Sequence, residues 1–495
     1  MAASKKQQVA PSQYAELEQE DLLTQLLDDF KGKDQSERQR ARNLLKNWLD
    51  DTIDPKLIEK PHARQAISER IAQIDEVLSA QTSAIMHHKE FQALEASWRG
   101  LEKLVFDSRT GEHLKIRVLS TSKRELLKDF RTAAEFTETA LWKKVYQEEF
   151  GIWGGDPFGC IVGDFQFGKG DQDVELLTEI SRVAAASHAP FMAAASPDMF
   201  GWERFDEMPE PRDLAAIFKK EDPRNTKWLS FRGKEESRFV ALTLPGTLGR
   251  APYGPENPAD SFTFREDVTG EDHDKYLWCN AAYALAGRLT ASFTKHHWCT
   301  AIRGPQGGGM VEGLPIHKFK SREGDLAAKC PTEVLIPEDR ENELSELGFL
   351  AVVNCKNTDY AAFFSGHTVQ RPKLFPDAEA NANADYSRKL PYLMATSRIA
   401  HYLKVICRDK VGQFVSRDDC QDYLNKWISK YVLSMDKATQ EQKAERPLRQ
   451  AQIKVVDDPA RPGNFKATVH LRPHSFLESI EVSLRLVAEL PEAKG

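Results

Sequence analysis

Gly163 to Gly170, GDFQFGKG, is the stretch whose glycine and lysine spacing could cradle a phosphate. Such a loop needs backbone N–H groups bared by glycine, a lysine for the terminal phosphates, and then a Ser or Thr hydroxyl for magnesium. Gly170 stands where that hydroxyl belongs, and Phe165 and Phe167 place rings where a ligand would have to approach the backbone. A plain strand-to-helix turn is the expected use, with a soluble α/β nucleotide-binding enzyme working through residues 163–170 as the alternative. GPQGGGMVEG, Gly304 to Gly313, lacks a GxGxxG fingerprint at a helix start and reads as a flexible surface loop. Neither GxSxG nor HExxH occurs. The seven cysteines never form a CxxC pair, which argues for reduced core thiols and against a disulfide framework or zinc site. His87-His88 and His296-His297 are adjacent, so on a helix their rings diverge by about 100° and make no ligand pair. The reading is of a non-enzyme without catalytic residues, metal or cofactor.

With 495 residues the chain calls for two or three domains, and 41% hydrophobic with 29% charged residues is a normal soluble composition. A net charge of -7 without a long basic run argues against a general nucleic-acid binder. No stretch approaches the roughly 20 apolar residues of a membrane span, and MAASKKQQVAPSQ lacks the apolar core of a secretory signal, so a cytosolic location is expected.

The elements that would position any site follow from periodicity. In EDLLTQLLDDF, Leu22, Leu23, Leu26, Leu27 and Phe30 make an apolar helical stripe suited to docking on a partner or on the body of the protein. Phe91, Leu94, Trp98, Leu101 and Val105 fall at three- and four-residue steps, one seam of a packed helix. Leu114, Ile116 and Val118 alternate as a strand, and Ser122 with Glu125 forms a capping box for the next helix. CIVGD, then the helical DVELLTEISRVAAASHA, then FMAAAS imply a parallel βαβ unit. Further strands are expected at 238–244, 349–355 and 361–366, with an apolar helix in WCNAAYALAGRLTASF. RPKLFPDAEANANADY marks a boundary, after which helices are expected at about 388–408 and 418–433. The fold class is α/β (α+β), mixed sheets with covering helices.

Near the end, Phe465, Ala467, Val469 and Leu471 alternate with polar residues, and so do Ile480, Val482, Leu484 and Leu486. A shorter strand, QIKVV, precedes them behind a polar segment, DKATQEQKAERPLRQAQ, expected on the surface. So small a sheet is marginal alone. Either it is completed inside its own domain, the usual outcome, or it offers open edges to another chain.

FQALEASWRGLEKLV, WKKVYQEEFGIWGGDPFGCIVGDFQFG, HAPFMAAASPDMFG, RFVALTLP and ENELSELGFLAVVNCKNTDYAAFFS, taken in order, resemble the large sheath subunit of bacterial type VI secretion systems, the TssC or VipB family. The resemblance runs from about residue 60 to the C-terminus. It implies a core like that of contractile phage tail sheaths. It divides the chain into an N-terminal helical arm (1–60), an α/β sheath body (61–370), the helical part of a C-terminal sheath domain (371–445) and a strand-exchange segment (446–495). It implies a small sheath subunit (TssB or VipA) as obligate partner, self-assembly into a helical sheath on a baseplate around an Hcp inner tube, and dismantling by the ClpV AAA+ ATPase, mainly through the small subunit. In the family, the C-terminal strands pair with terminal strands of small subunits, one from a neighbouring protomer, so here Phe465 to Leu471 and Ile480 to Leu486 would link protomers. Residues 436–452 would be a flexible connector, Leu22 to Phe30 would pack with the small subunit, and Arg408, Lys410 or Lys426 would face the tube.

Overall fold

The computed structural model describes residues 68–260, 262–320, 324–356, 358–410, 416–435, 438–457 and 465–474, with isolated positions between 36 and 47 and the backbone of 60–67. Leu22, Leu23, Leu26, Leu27 and Phe30, and Ile480, Val482, Leu484 and Leu486, lie outside the described residues. The chain divides into two compact units, Met1–Ala84 with Tyr253–Asp267, and Ile85–Pro252 with Val268–Gly495.

In the first unit, most of the helix Lys60–Met86 pins the 253–267 loop. The buried Ser79 and Ser83 hydroxyls accept the backbone N–H groups of Arg265 (3.3 Å) and Asp267 (3.2 Å). The Tyr253 N–H donates to Glu266 at 2.9 Å, and the Tyr253 and Phe264 rings pack 5.5 Å apart. Ile71, Ile74 and Leu78, spaced three and four residues apart, remain exposed.

The second unit is built on strands β1 (Ile161–Phe167), β2 (Phe191–Ala195), β3 (Val240–Leu244), β4 (Thr247–Leu248), β5 (Trp278–Cys279), β6 (Met310–Val311), β7 (Lys318–Lys320), β8 (Leu326–Ala328), β9 (Phe349–Asn354), β10 (Ala361–Phe363), β11 (Leu448–Asp457) and β12 (Phe465–Pro473). The main sheet runs β1-β2-β3-β9-β10-β6; its first four strands are parallel, and β10 is antiparallel to both neighbours. Every residue of β2 and β3 is buried, as expected where helices cover both faces. Alternate residues serve opposite cores. Phe191, Val240, Leu242 and Phe349 face the helix Asp171–Ser187 with Leu177, Ile180 and Val183, while Met192, Ala241 and Leu350 face Ala281–His296 with Leu285 and Leu289. Ser122 and Glu125 form the expected capping box.

Three expectations give way. The helix Lys89–Asp107 packs through Gly100 and Leu104 rather than through its apolar seam, and Phe91, Leu94 and Trp98 are exposed, Trp98 by 65%. The reason is a close approach, since a Cβ on Gly100 would stand 2.4 Å from the Tyr283 ring. Residues 114–118 form no strand. Their alternation serves ion pairs instead: Lys115 with Asp156 (2.5 Å) and Arg117 with Glu149, while Ile116 packs against the core that holds Met192 and Leu285. The Gly304–Gly313 loop is tied to the sheet, because Gly304 N–H donates to Phe363 O (2.7 Å) and Phe363 N–H to Gly309 O (3.0 Å). Gly308, with φ +88°, needs its glycine, since a Cβ would meet the Ala301 carbonyl at 2.2 Å.

The chain crosses residue 370 without a break in bonding: Leu390 N–H donates to Gly366 O (2.7 Å) and Thr368 N–H to Arg388 O (3.0 Å). The helix Leu390–Asp409 then docks His401 against the body, its Nε2–H donating to the Ser187 carbonyl at 2.8 Å and its ring 5.2 Å from Phe150. Burial pushes this imidazole down to about 4, and the charges of Arg398, His188 and Lys404 push the same way. An unfolded chain would titrate near 6.5, so between about 6.5 and 4 it holds a proton that the folded chain refuses. The stability His401 contributes is therefore complete above about 6.5 and is lost as pH falls toward 4, by on the order of 3 kcal/mol. We expect His401→Gln to lower the melting temperature at pH 7.5 by more than at pH 4.5; an equal loss at both would mean that the proton is not refused.

Candidate assembly interface

The described part of the C-terminal region is a two-stranded sheet on a helical bed. The helix Arg417–Ile428, started by Ser416 accepting the Asp419 N–H (3.2 Å), buries Cys420, Leu424 and Ile428 at four-residue steps. Ile453 and Val455 of β11 and Val469 and Leu471 of β12 join that stripe, with Ile399 and Trp298 completing the cluster. Antiparallel pairing sets Ala451 opposite Leu471, Ile453 opposite Val469, Val455 opposite Ala467 and Asp457 opposite Phe465. The alternation read from sequence holds at Val469 and Leu471, half-buried toward the helix, and at Lys466, Thr468 and His470, which face solvent, but not at Ala467, which is exposed.

β11 is longer than QIKVV, because Leu448, which is fully buried, starts it. The polar stretch before it is not a free connector either. Among its described residues, Gln440–Glu445 is a helix with a Thr439–Gln442 capping box and a buried Ala444, and Leu433 N–H reaches Leu448 O at 2.8 Å. Apolar Ala444 and Leu448, isolated among charges, were the only sequence signal for this.

The two edges of the hairpin differ. On β11, Ile453 N–H donates to Asn425 Oδ1 (2.9 Å), Asn425 Nδ2 donates to Ile453 O (2.8 Å), and Val455 N–H donates to Gln421 Oε1 (3.0 Å). Since the backbone groups of Ile453 turn outward, its pair with Val469 is of the non-hydrogen-bonded kind, and those of Val469 turn outward on the other side. The same parity exposes the backbone groups of Phe465 and Ala467 at the edge, while Leu471 O accepts from the Tyr392 hydroxyl at 3.4 Å. Among the described residues no strand pairs with this edge of β12.

Arg408 donates to the Ile152 carbonyl, Lys410 lies over the Tyr423 ring (5.6 Å), and Lys426 is exposed on the helix Arg417–Ile428. The structure does not bring these three to one contact with the strand residues.

The rival site at Gly163–Gly170 is filled by the protein itself. Gly168 N–H donates to Asp173 (2.8 Å), which also pairs with Lys123 (2.6 Å), and a Cβ on Gly168 would stand 2.6 Å from an Asp198 carboxylate oxygen. Carboxylates therefore take the place and the N–H group that a phosphate would use, and Phe167 is fully buried. Among the described residues no group of His, Cys, Asp or Glu could hold a metal, and no helix is long and apolar enough to cross a membrane.

Comparison with known proteins matches residues 68–370 to the family VipB, described as EvpB/VC_A0108, tail sheath N-terminal domain, and residues 379–490 to VipB_2, the EvpB/VC_A0108 tail sheath gpW/gp25-like domain. The type VI secretion system sheath protein TssC1 of Pseudomonas aeruginosa is 42% identical over 500 aligned residues, covering 100% of both chains. Among solved structures, a baseplate of the anti-feeding prophage aligns at 12% identity over 64% of this chain and 66% of its own (TM-score 0.34). A contracted PVC sheath complex of an extracellular contractile injection system aligns at 9% identity over 63% and 68% (TM-score 0.33). The matched domains and the full-length relative agree, and the chain belongs to the VipB (EvpB/VC_A0108) tail sheath family.

Proposed function

We propose that this chain is a structural subunit of a type VI secretion contractile sheath. It polymerises in the bacterial cytoplasm with a small sheath subunit of the TssB or VipA kind, around an Hcp inner tube and on a baseplate. Contraction drives the tube outward, and a ClpV-type ATPase recovers the contracted sheath, so the chain itself performs no catalysis. The observation that carries this reading is the 42% identity to a type VI sheath protein along the whole of both chains.

The C-terminal geometry supports a strand-exchange link. An added strand makes directional backbone hydrogen bonds, and the alternating face of Val469 and Leu471 sets its register, because a one-residue slip would turn the apolar side to water. Ile480, Val482, Leu484 and Leu486 carry the same alternation and would supply the second linking strand. The stripe Leu22, Leu23, Leu26, Leu27 and Phe30 is assigned to packing with the small subunit. Contraction then is a shift between two packings of rigid blocks tied by such strands.

Co-expression with the small subunit, followed by electron microscopy, tests the reading. Long hollow cylinders are expected; a stable, soluble, monodisperse chain with nucleotide turnover, unaffected by the partner, would overturn it.

A further inference from the structure

We propose that Asn425 and Gln421 cap the outer edge of β11 by imitating a neighbouring strand, so that, of the two described strands of the C-terminal sheet, only β12 can take up another. This rests on the strand-exchange reading and deepens it by naming the edge that accepts the incoming strand.

The Asn425 carboxamide offers its oxygen to the Ile453 N–H and its N–H to the Ile453 carbonyl, the acceptor and donor that one residue of an antiparallel neighbouring strand would present. Asn425 Nδ2 also bonds the Gln421 carbonyl (2.9 Å), which fixes the amide's orientation. One turn earlier on the same helix face, Gln421 takes the Val455 N–H (3.0 Å). The bed beneath is apolar, with Cys420, Leu424 and Ile428 buried under the hairpin. A strand arriving at β11 would have to break these bonds and lift that helix. At β12 it would meet N–H and C=O groups, from Phe465 to Val469, that no strand among the described residues pairs, ending where Tyr392 occupies Leu471 O.

The chemistry of the occupant also follows. The solvent face of the hairpin carries Lys454, Lys466, His470 and Arg472 and no carboxylate among its described, exposed residues from Gln450 onward. The other face is apolar, and Ala467 at its rim is uncovered. On the strand-exchange reading the occupant is one extended segment of the small sheath subunit, and the hairpin's charge fits a segment that alternates apolar residues with acidic ones pairing across the edge with Lys466.

Hydrogen–deuterium exchange of the complex with the small subunit, before and after assembly into cylinders, tests the cap. Assembly is expected to slow the 465–473 peptide at least about tenfold and to leave 448–457, already protected, unchanged. Asn425→Leu with Gln421→Leu is expected to speed exchange of 448–457 about tenfold in the unassembled complex, the effect of losing hydrogen bonds of ordinary strength. New protection on 448–457 during assembly, or unchanged exchange there in the double variant, would overturn the proposal. Wild-type protein that forms no cylinders would sink the sheath reading, while the cap would still be judged on the unassembled complex.

Discussion

A chain stopped before Asn464 is expected to form no cylinders with the small sheath subunit and to remain in small complexes. The truncation removes β12, and with it the partner of β11 along Leu448–Asp457 and the open edge itself. Ile453 and Val455 lose the cover of Val469 and Leu471, whose half-burial contributes roughly 2–3 kcal/mol together, before counting ladder hydrogen bonds of about 1 kcal/mol each. Set against a typical whole-domain stability of about 5–15 kcal/mol, that is enough to loosen the C-terminal sheet locally. The main sheet, with separate cores, should hold its fold and circular dichroism. Val469→Asp, which keeps the chain length, should also abolish cylinders, since a charge would face Leu424 and Ile453. Cylinders from the truncated chain in electron micrographs would remove the C-terminal strands from the assembly mechanism.

Phe349→Ala should be among the most destabilising single changes, costing about 3–5 kcal/mol. Phe349 opens β9, is fully buried, and lies where rings converge: Phe200 at 5.0 Å, Phe218 at 6.0 Å and Trp228 stacked at 6.1 Å. Its ring also stands where β9 joins the parallel strands, with Phe349 paired to Leu242. The aromatic neighbours are locked by one another and cannot collapse into the gap, so both the lost burial and the cavity count. A urea midpoint lowered by less than about 1 kcal/mol equivalent would mean that the core repacks freely.

The parallel sheet was legible because burial on both faces leaves a continuous apolar run in FMAAAS, and CIVGD at the edge keeps one, with a helical pattern between them. The side on which the helix Lys89–Asp107 packs was not, because Gly100 against Tyr283 is a contact set by a missing side chain, which periodicity cannot register. Residues 114–118 misled for the opposite reason, since alternation of Lys115, Ile116 and Arg117 serves ion pairs on one side and core on the other without any ladder. At the C-terminus the strand through Phe465, Val469 and Leu471 was visible, whereas its cap was hidden, because Gln421 and Asn425 are spaced like any polar helical face. Family resemblance, rather than spacing, supplied the assembly.

The neighbours β3 and β9 are joined through Leu242 and Phe349, more than a hundred residues apart along the chain. Contacts so distant in sequence close late, and during synthesis the buried faces of β1, β2 and β3 must wait for β9 to emerge from the ribosome. The sheet's completion is thus timed by translation itself: a nascent chain carries uncovered apolar strands from Phe191 until Phe349 is made, about a third of its length, and slowing elongation ahead of Phe349 should raise aggregation more than the same pause placed after Phe363.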